Sequence, residues 1–79
     1  MRTIRPTGEK VLSNIRNTML KLNVSISELA TIMNVSRGTI YNRFLHPDEF
    51  QVGELDKFAS YGRKHGLHKL STESFFKAG

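Results

Sequence analysis

The chain of 79 residues contains no cysteine and no tryptophan, and it has only two prolines. Without cysteine it can form neither disulfides nor thiolate-ligated zinc sites. No apolar run approaches the roughly 20 residues that a membrane-spanning helix needs, and the start of the chain lacks the apolar stretch of a signal peptide. We therefore expect a small cytoplasmic protein that is stabilised by helix packing around one core.

The formal net charge of +5 belongs entirely to the first half of the chain. Residues 1–45 carry seven Lys or Arg and two Asp or Glu, whereas residues 46–79 carry five of each kind. This asymmetry favours a polyanionic partner such as nucleic acid. The alternative is a basic surface that only keeps the protein in solution, and charge alone does not separate the two.

Apolar residues recur at helical spacing in four segments, and no segment alternates with the period of a β-strand. The predicted helices span about 9–22, 26–33, 37–45 and 52–64, and a short last turn spans about 72–77. In the fourth helix, the residues expected to be buried are Val52, Leu55, Phe58 and Ala59. Phe75 and Phe76 are expected to close the core or to form a dimer contact, with at least one of them in the core. The predicted fold class is all-α, a compact bundle of four to five short helices.

The first residues differ from the rest of the chain in having no periodicity. Residues 1–7 contain Arg2, Arg5 and Pro6, and we predict a flexible basic arm there, followed by a single domain over residues 8–79. Arginines on such an arm can follow a phosphate backbone or enter a minor groove. A terminal tail without any partner is an equally good interpretation.

Only three residues separate the second and third predicted helices. Ser25 and Glu28 have the spacing of a capping box, which starts the second helix. Asn34 tolerates the left-handed backbone that ends it, and Ser36 is a preferred N-cap for the third. So short a connection makes two helices cross steeply, as in a helix-turn-helix, and Ala30 is small enough to lie at the crossing.

The stretch SISELATIMNVSRGTI resembles the helix-turn-helix of the Cro/phage-repressor type, also called xenobiotic-response-element-like. The later stretch FLHPDEFQVGELDKFASYGRKHGL is similar to the segment that follows the recognition helix in such domains. The likeness covers about residues 15–70, although Ile26 stands where many members have Gln and Asn34 replaces the commoner Gly. The resemblance implies a lambda-repressor-like fold and a homodimer, formed in solution or only on DNA. It also implies binding to a palindromic double-stranded DNA operator at the bacterial nucleoid.

Projection of the third helix at about 100° per residue places Ile40 toward the core and Asn42 outward. Asparagine can pair with adenine and arginine with guanine in the major groove, while residues at the flanks of the helix approach phosphates. We assign Arg43 to such a flank. The predicted DNA-binding residues are Ser27, Ser36, Arg37, Gly38, Thr39, Tyr41, Asn42 and Arg43, together with Arg2 and Arg5 of the arm.

We therefore expect a sequence-specific transcriptional regulator from a phage or mobile element that acts by occupying its operator. The alternative is a helix-turn-helix protein-interaction module, an antirepressor or modulator that binds another regulator, and Ile26 is its best support. We expect no catalytic residues, because no His or carboxylate is placed to activate a serine. We also expect no cofactor and no metal, since His65 and His68 lack further ligands.

Overall fold

The computed structural model describes residues 8–76, which form four α-helices and two short 3₁₀ turns, with no β-strand among them. The helices are α1 (Gly8–Leu22), α2 (Ile26–Met33), α3 (Arg37–Leu45) and α4 (Val52–Lys64). The 3₁₀ turns are Pro47–Glu49 and Thr72–Phe76. The predicted all-α bundle is confirmed. The predicted arm of residues 1–7, with Arg2 and Arg5, lies outside the described residues.

Local hydrogen bonds set the ends of α2 and the start of α3. The Ser25 hydroxyl accepts the Glu28 backbone N–H at 3.1 Å, and the Glu28 carboxylate accepts the Ser25 N–H at 2.8 Å. Asn34 ends α2 in the left-handed conformation, with φ of 61°. Ser36 then caps α3, because its hydroxyl accepts the Thr39 N–H at 3.1 Å. The predicted capping box, left-handed turn and second N-cap are all confirmed.

The core lies where α2 packs on α3 and α4, and α1 packs against both 3₁₀ turns. Phe75 is completely buried and stacks on Phe58, with 5.6 Å between ring centroids, whereas Phe76 is 39% exposed. The prediction that at least one of these phenylalanines lies in the core is therefore confirmed. The buried apolar residues are Val11, Ile15, Val24, Leu29, Ala30, Met33, Ile40, Leu55, Phe58, Ala59 and Phe75.

The first turn of α4 differs from its prediction. Leu55, Phe58 and Ala59 are completely buried as expected, but Val52 is 62% exposed. Val52 occupies the first position of the helix, before α4 reaches the core. Glu54, two residues further along the same turn, is buried instead and is only 8% exposed. A carboxylate tolerates that burial only when it is paired, and the pairing residue comes from α3.

Gly62 allows the chain after α4 to fold back closely on the helix. A Cβ at this position would collide with the Leu70 side chain, and the Leu67 N–H donates to the Gly62 carbonyl at 2.9 Å. The Leu70 side chain therefore packs directly on the Gly62 backbone, and a side chain at position 62 would displace it. In the described part of the chain, no helix is both long and apolar enough to cross a membrane.

Candidate nucleic-acid interface

Helix α3 is held from its inner side and at its start. Ile40 is completely buried in the core, and Phe44 packs against that core while remaining partly exposed. The Arg16 guanidinium of α1 lies 6.0 Å from the centroid of the Phe44 ring, which adds a cation–π contact. Together with the Ser36 cap, these contacts fix which face of α3 points away from the protein.

The outward face of α3 is one continuous arc. Its exposed members are Arg37, Gly38, Tyr41, Asn42 and Leu45. At about 100° per residue, these five positions are adjacent around the helix axis, and half-buried Thr39 lies at one edge of the arc. Five of the eight helix-turn-helix residues predicted for DNA contact thus lie on or beside this arc.

Gly38 has open space where a side chain would be. The nearest atom to a Cβ built there is the Ser36 Oγ, at 3.8 Å, which is ordinary contact. Glycine in a helix is less stable than alanine, because its unfolded chain has more conformational freedom to lose. Packing inside the protein therefore does not require glycine here. Its effect is to let a group from outside approach the backbone of the first turn of α3.

Two predicted contact residues, one in the first turn of α2 and one in the first turn of α3, contact each other. The Arg37 guanidinium donates to the Ser27 hydroxyl at 3.3 Å, and both residues are exposed. The first turns of both helices therefore present neighbouring donors on one surface. The hydroxyls of Ser36 and Thr39 lie 3.0 Å apart and hydrogen-bond each other, so Ser36 acts first as a cap although it is exposed.

Arg43 does not lie where the sequence places it. Its Nε donates to one Glu54 carboxylate oxygen at 3.2 Å, and its Nη2 donates to the other at 2.9 Å. Only 17% of the Arg43 side chain is exposed, and Glu49 lies 4.0 Å away as a second, looser partner. The predicted position of Arg43 on the outer flank of α3 is therefore wrong. In helical projection Arg43 is closer to Ile40 than to Asn42, which turns it toward α4.

The surroundings of the pair keep both groups charged. Burial by itself would raise the pKa of Glu54, but hydrogen bonds from Arg43 and from the Gln51 backbone N–H, together with attraction to the charges of Arg43 and Lys57, outweigh burial and lower it. The Gln51 N–H lies 3.1 Å from the carboxylate oxygen. The same hydrogen bond with Glu54 raises the pKa of Arg43. The charge of Arg43 is thus compensated inside the protein, and Arg37 is the cation that α3 presents outward.

Two residues of this region are not among the predicted DNA-binding residues. Leu45, at the end of α3, is 74% exposed and lies close to the middle of the arc, where careful helical projection places it. Glu54 follows Gln51 by three residues, the spacing of a capping box, so its role at the start of α4 had a local signal. Its pairing with Arg43, eleven residues away, has none.

Arg37 is the one charged side chain of the arc. Among residues 8–76, no three His, Asp or Glu side chains are grouped so that they could hold a metal ion. The arc presents a guanidinium, an amide, a phenol and an exposed leucine around the open backbone position of Gly38. No protein-family model, curated protein or solved structure matches the chain.

Proposed function

We propose that this protein is a sequence-specific regulator of transcription that binds double-stranded DNA, of the Cro/phage-repressor type, and that α3 is its recognition helix. The observation that carries the proposal is the exposed arc, in which Gly38 leaves the backbone open between Arg37 and Asn42. An α-helix fits the major groove of B-DNA. In the groove, the Asn42 amide can pair with adenine and Arg37 with guanine or a phosphate.

The charges near the arc support a polyanionic ligand. Glu28, the acidic residue of α2, already accepts a hydrogen bond from the start of its own helix. Glu54 is neutralised by Arg43. Arg37 on α3 and Arg16 on α1 are both exposed cations. A groove lined by phosphates would thus meet positive groups on α1 and α3, and the carboxylates of Glu28 and Glu54 are already engaged.

The proposed mechanism is occupancy of an operator at the bacterial nucleoid. A homodimer would place two copies of α3 in successive major grooves of a palindromic site, roughly 34 Å apart, and so exclude polymerase. Phe76 is the apolar residue at the end of the described chain that is free for a dimer contact, at 39% exposed. Phe75 is not available, because it belongs to the core.

Enrichment of bound duplexes from a random-sequence pool, followed by binding measurements at two salt concentrations, tests the proposal. Asn42→Ala should weaken binding to the enriched duplex by about 1–3 kcal/mol and leave binding to random duplex unchanged. Asn17→Ala is the matched control, since Asn17 is an exposed asparagine of α1. The proposal fails if no duplex is enriched, or if the two variants bind the enriched duplex equally well.

One observation favours the second candidate function, a module that binds another regulator protein. Tyr41 and Leu45 are 53% and 74% exposed on the same arc, and exposed aromatic and apolar side chains are common at protein interfaces. Titration against random duplex at low salt separates the candidates. A DNA-binding protein shows a dissociation constant of about 1–100 μM at physiological salt and binds more tightly as the salt is lowered, whereas an interaction module shows no such binding.

A further inference from the structure

The exposed arc of α3 has a polar row and an apolar row. Gly38 and Asn42, four residues apart, form the polar row, and Tyr41 and Leu45 form the apolar row beside it. Leu45 is 74% exposed and Tyr41 is 53% exposed. Leu45 follows Gly38 by seven residues, two turns along the helix, and so lies close to the centre line of the arc.

The packing of the protein does not explain the apolar row. The inner side of the same helix already supplies Ile40 and Phe44 to the core, and Leu45 lies outside that cluster. A single exposed leucine is ordinary on a protein surface. Leu45, however, shares a face with an exposed amide and an open backbone position. A ligand that matches this face must carry hydrogen-bonding groups and apolar groups side by side.

The major groove at A·T pairs has this mixture. Adenine presents an acceptor and a donor that suit an asparagine amide, and its partner thymine presents a C5-methyl group beside an acceptor. Asn42 and Leu45 are three residues apart, or about 4.5 Å along the helix axis, so their side chains can reach neighbouring base pairs, which are about 3.4 Å apart. We infer that Leu45, flanked by Tyr41, reads thymine methyl groups next to the base pair that Asn42 contacts.

This inference rests on the proposed DNA-binding function and adds the class of base that the apolar row selects. Its test uses a duplex that the wild-type protein enriches from a random pool. This duplex is synthesised in its original form and as a set of variants, each of which has uracil in place of one thymine. Uracil keeps the hydrogen-bonding groups and lacks only the methyl. For each contacted methyl, replacement should weaken wild-type binding roughly three- to fivefold.

Two variants connect the effect of uracil to the apolar row. Leu45→Ala should bind the thymine duplex more weakly and should no longer distinguish uracil from thymine at the contacted positions. Leu20→Ala is the matched control, because Leu20 is 80% exposed but belongs to α1, and it should remain as sensitive to uracil as the wild type. Thermal melts establish that both variants are folded, as the exposure of both leucines predicts.

The possible outcomes distinguish failure of this inference from failure of the proposed DNA-binding function. If a duplex is enriched but uracil weakens wild-type binding nowhere, the inference is overturned and the proposed function stands. The same holds if Leu45→Ala remains as sensitive to uracil as the wild type. If no duplex is enriched, the proposed function fails and the inference fails with it. Loss of the uracil effect in Leu45→Ala but not in Leu20→Ala establishes the inference.

Discussion

Arg43 and Glu54 form a bidentate ion pair that connects the last turn of α3 to the first turn of α4, with N–O distances of 3.2 and 2.9 Å. The Arg43 and Glu54 side chains are 17% and 10% exposed. The Glu54 carboxylate also accepts the Gln51 N–H, so one acidic group serves both a helix start and an inter-helix contact. The orientation of the proposed recognition helix therefore depends on a residue outside it.

Breaking this pair should destabilise the fold. Glu54→Gln should lower the free energy of unfolding by about 1–3 kcal/mol, because Arg43 is left largely buried without its counter-charge. Glu49→Gln is the matched control: Glu49 is the looser, 55% exposed partner at 4.0 Å, and no measurable change is expected. Urea denaturation of both variants measures the difference. Equal stabilities would mean that the pair contributes nothing to the fold.

The same pair predicts how stability depends on pH. Because the pKa of Glu54 is lowered in the folded protein, its contribution is complete above its ordinary value of 4.5 and is lost as the pH falls through the folded value. The wild type should therefore lose more stability than Glu54→Gln between pH 7 and about pH 3. Urea midpoints at both pH values measure this. Parallel losses in the two proteins would contradict the assignment of acid sensitivity to Glu54.

Gly38→Ala should stabilise the protein and weaken its proposed function. Alanine should add roughly 0.5 kcal/mol to the free energy of unfolding, because the site is open and helical. Its methyl group should reduce affinity for an enriched duplex by obstructing backbone approach. Gly53→Ala is the matched control, since Gly53 is the second residue of α4 and has nothing within 4 Å of its Cβ position. Equal effects of both substitutions on affinity would remove the special role of Gly38.

Neighbouring phenylalanines at the end of the described chain should respond differently to truncation. Phe75→Ala should cost about 3–5 kcal/mol, because it removes a completely buried ring stacked on Phe58. In a domain this small, such a loss unfolds a large share of the molecules. Phe76→Ala should melt close to the wild type and should instead weaken dimerisation, measured by analytical ultracentrifugation with and without duplex. Equal melting temperatures for the two variants would contradict the core position of Phe75.

The helices and their ends follow from local sequence. Ser25, Glu28, Asn34 and Ser36 act through hydrogen bonds and backbone conformations that extend over four residues or fewer. For that reason the bounds of α2, α3 and α4 agree with the helical spacing of the apolar residues. The exposed position of Asn42 was also predictable, because a helix of known phase has one inner side and one outer side.

Contacts between distant residues were decided by the tertiary structure alone. Periodicity placed Val52 on the inner side of α4, but the core begins only after the first turn, so Val52 is exposed. Spacing could not say which of Phe75 and Phe76 enters the core. Nor could it show that Arg43 is paired with Glu54, eleven residues on. A local pattern specifies which way a side chain points, whereas the charge and the apolar surface that it meets come from another element of the fold.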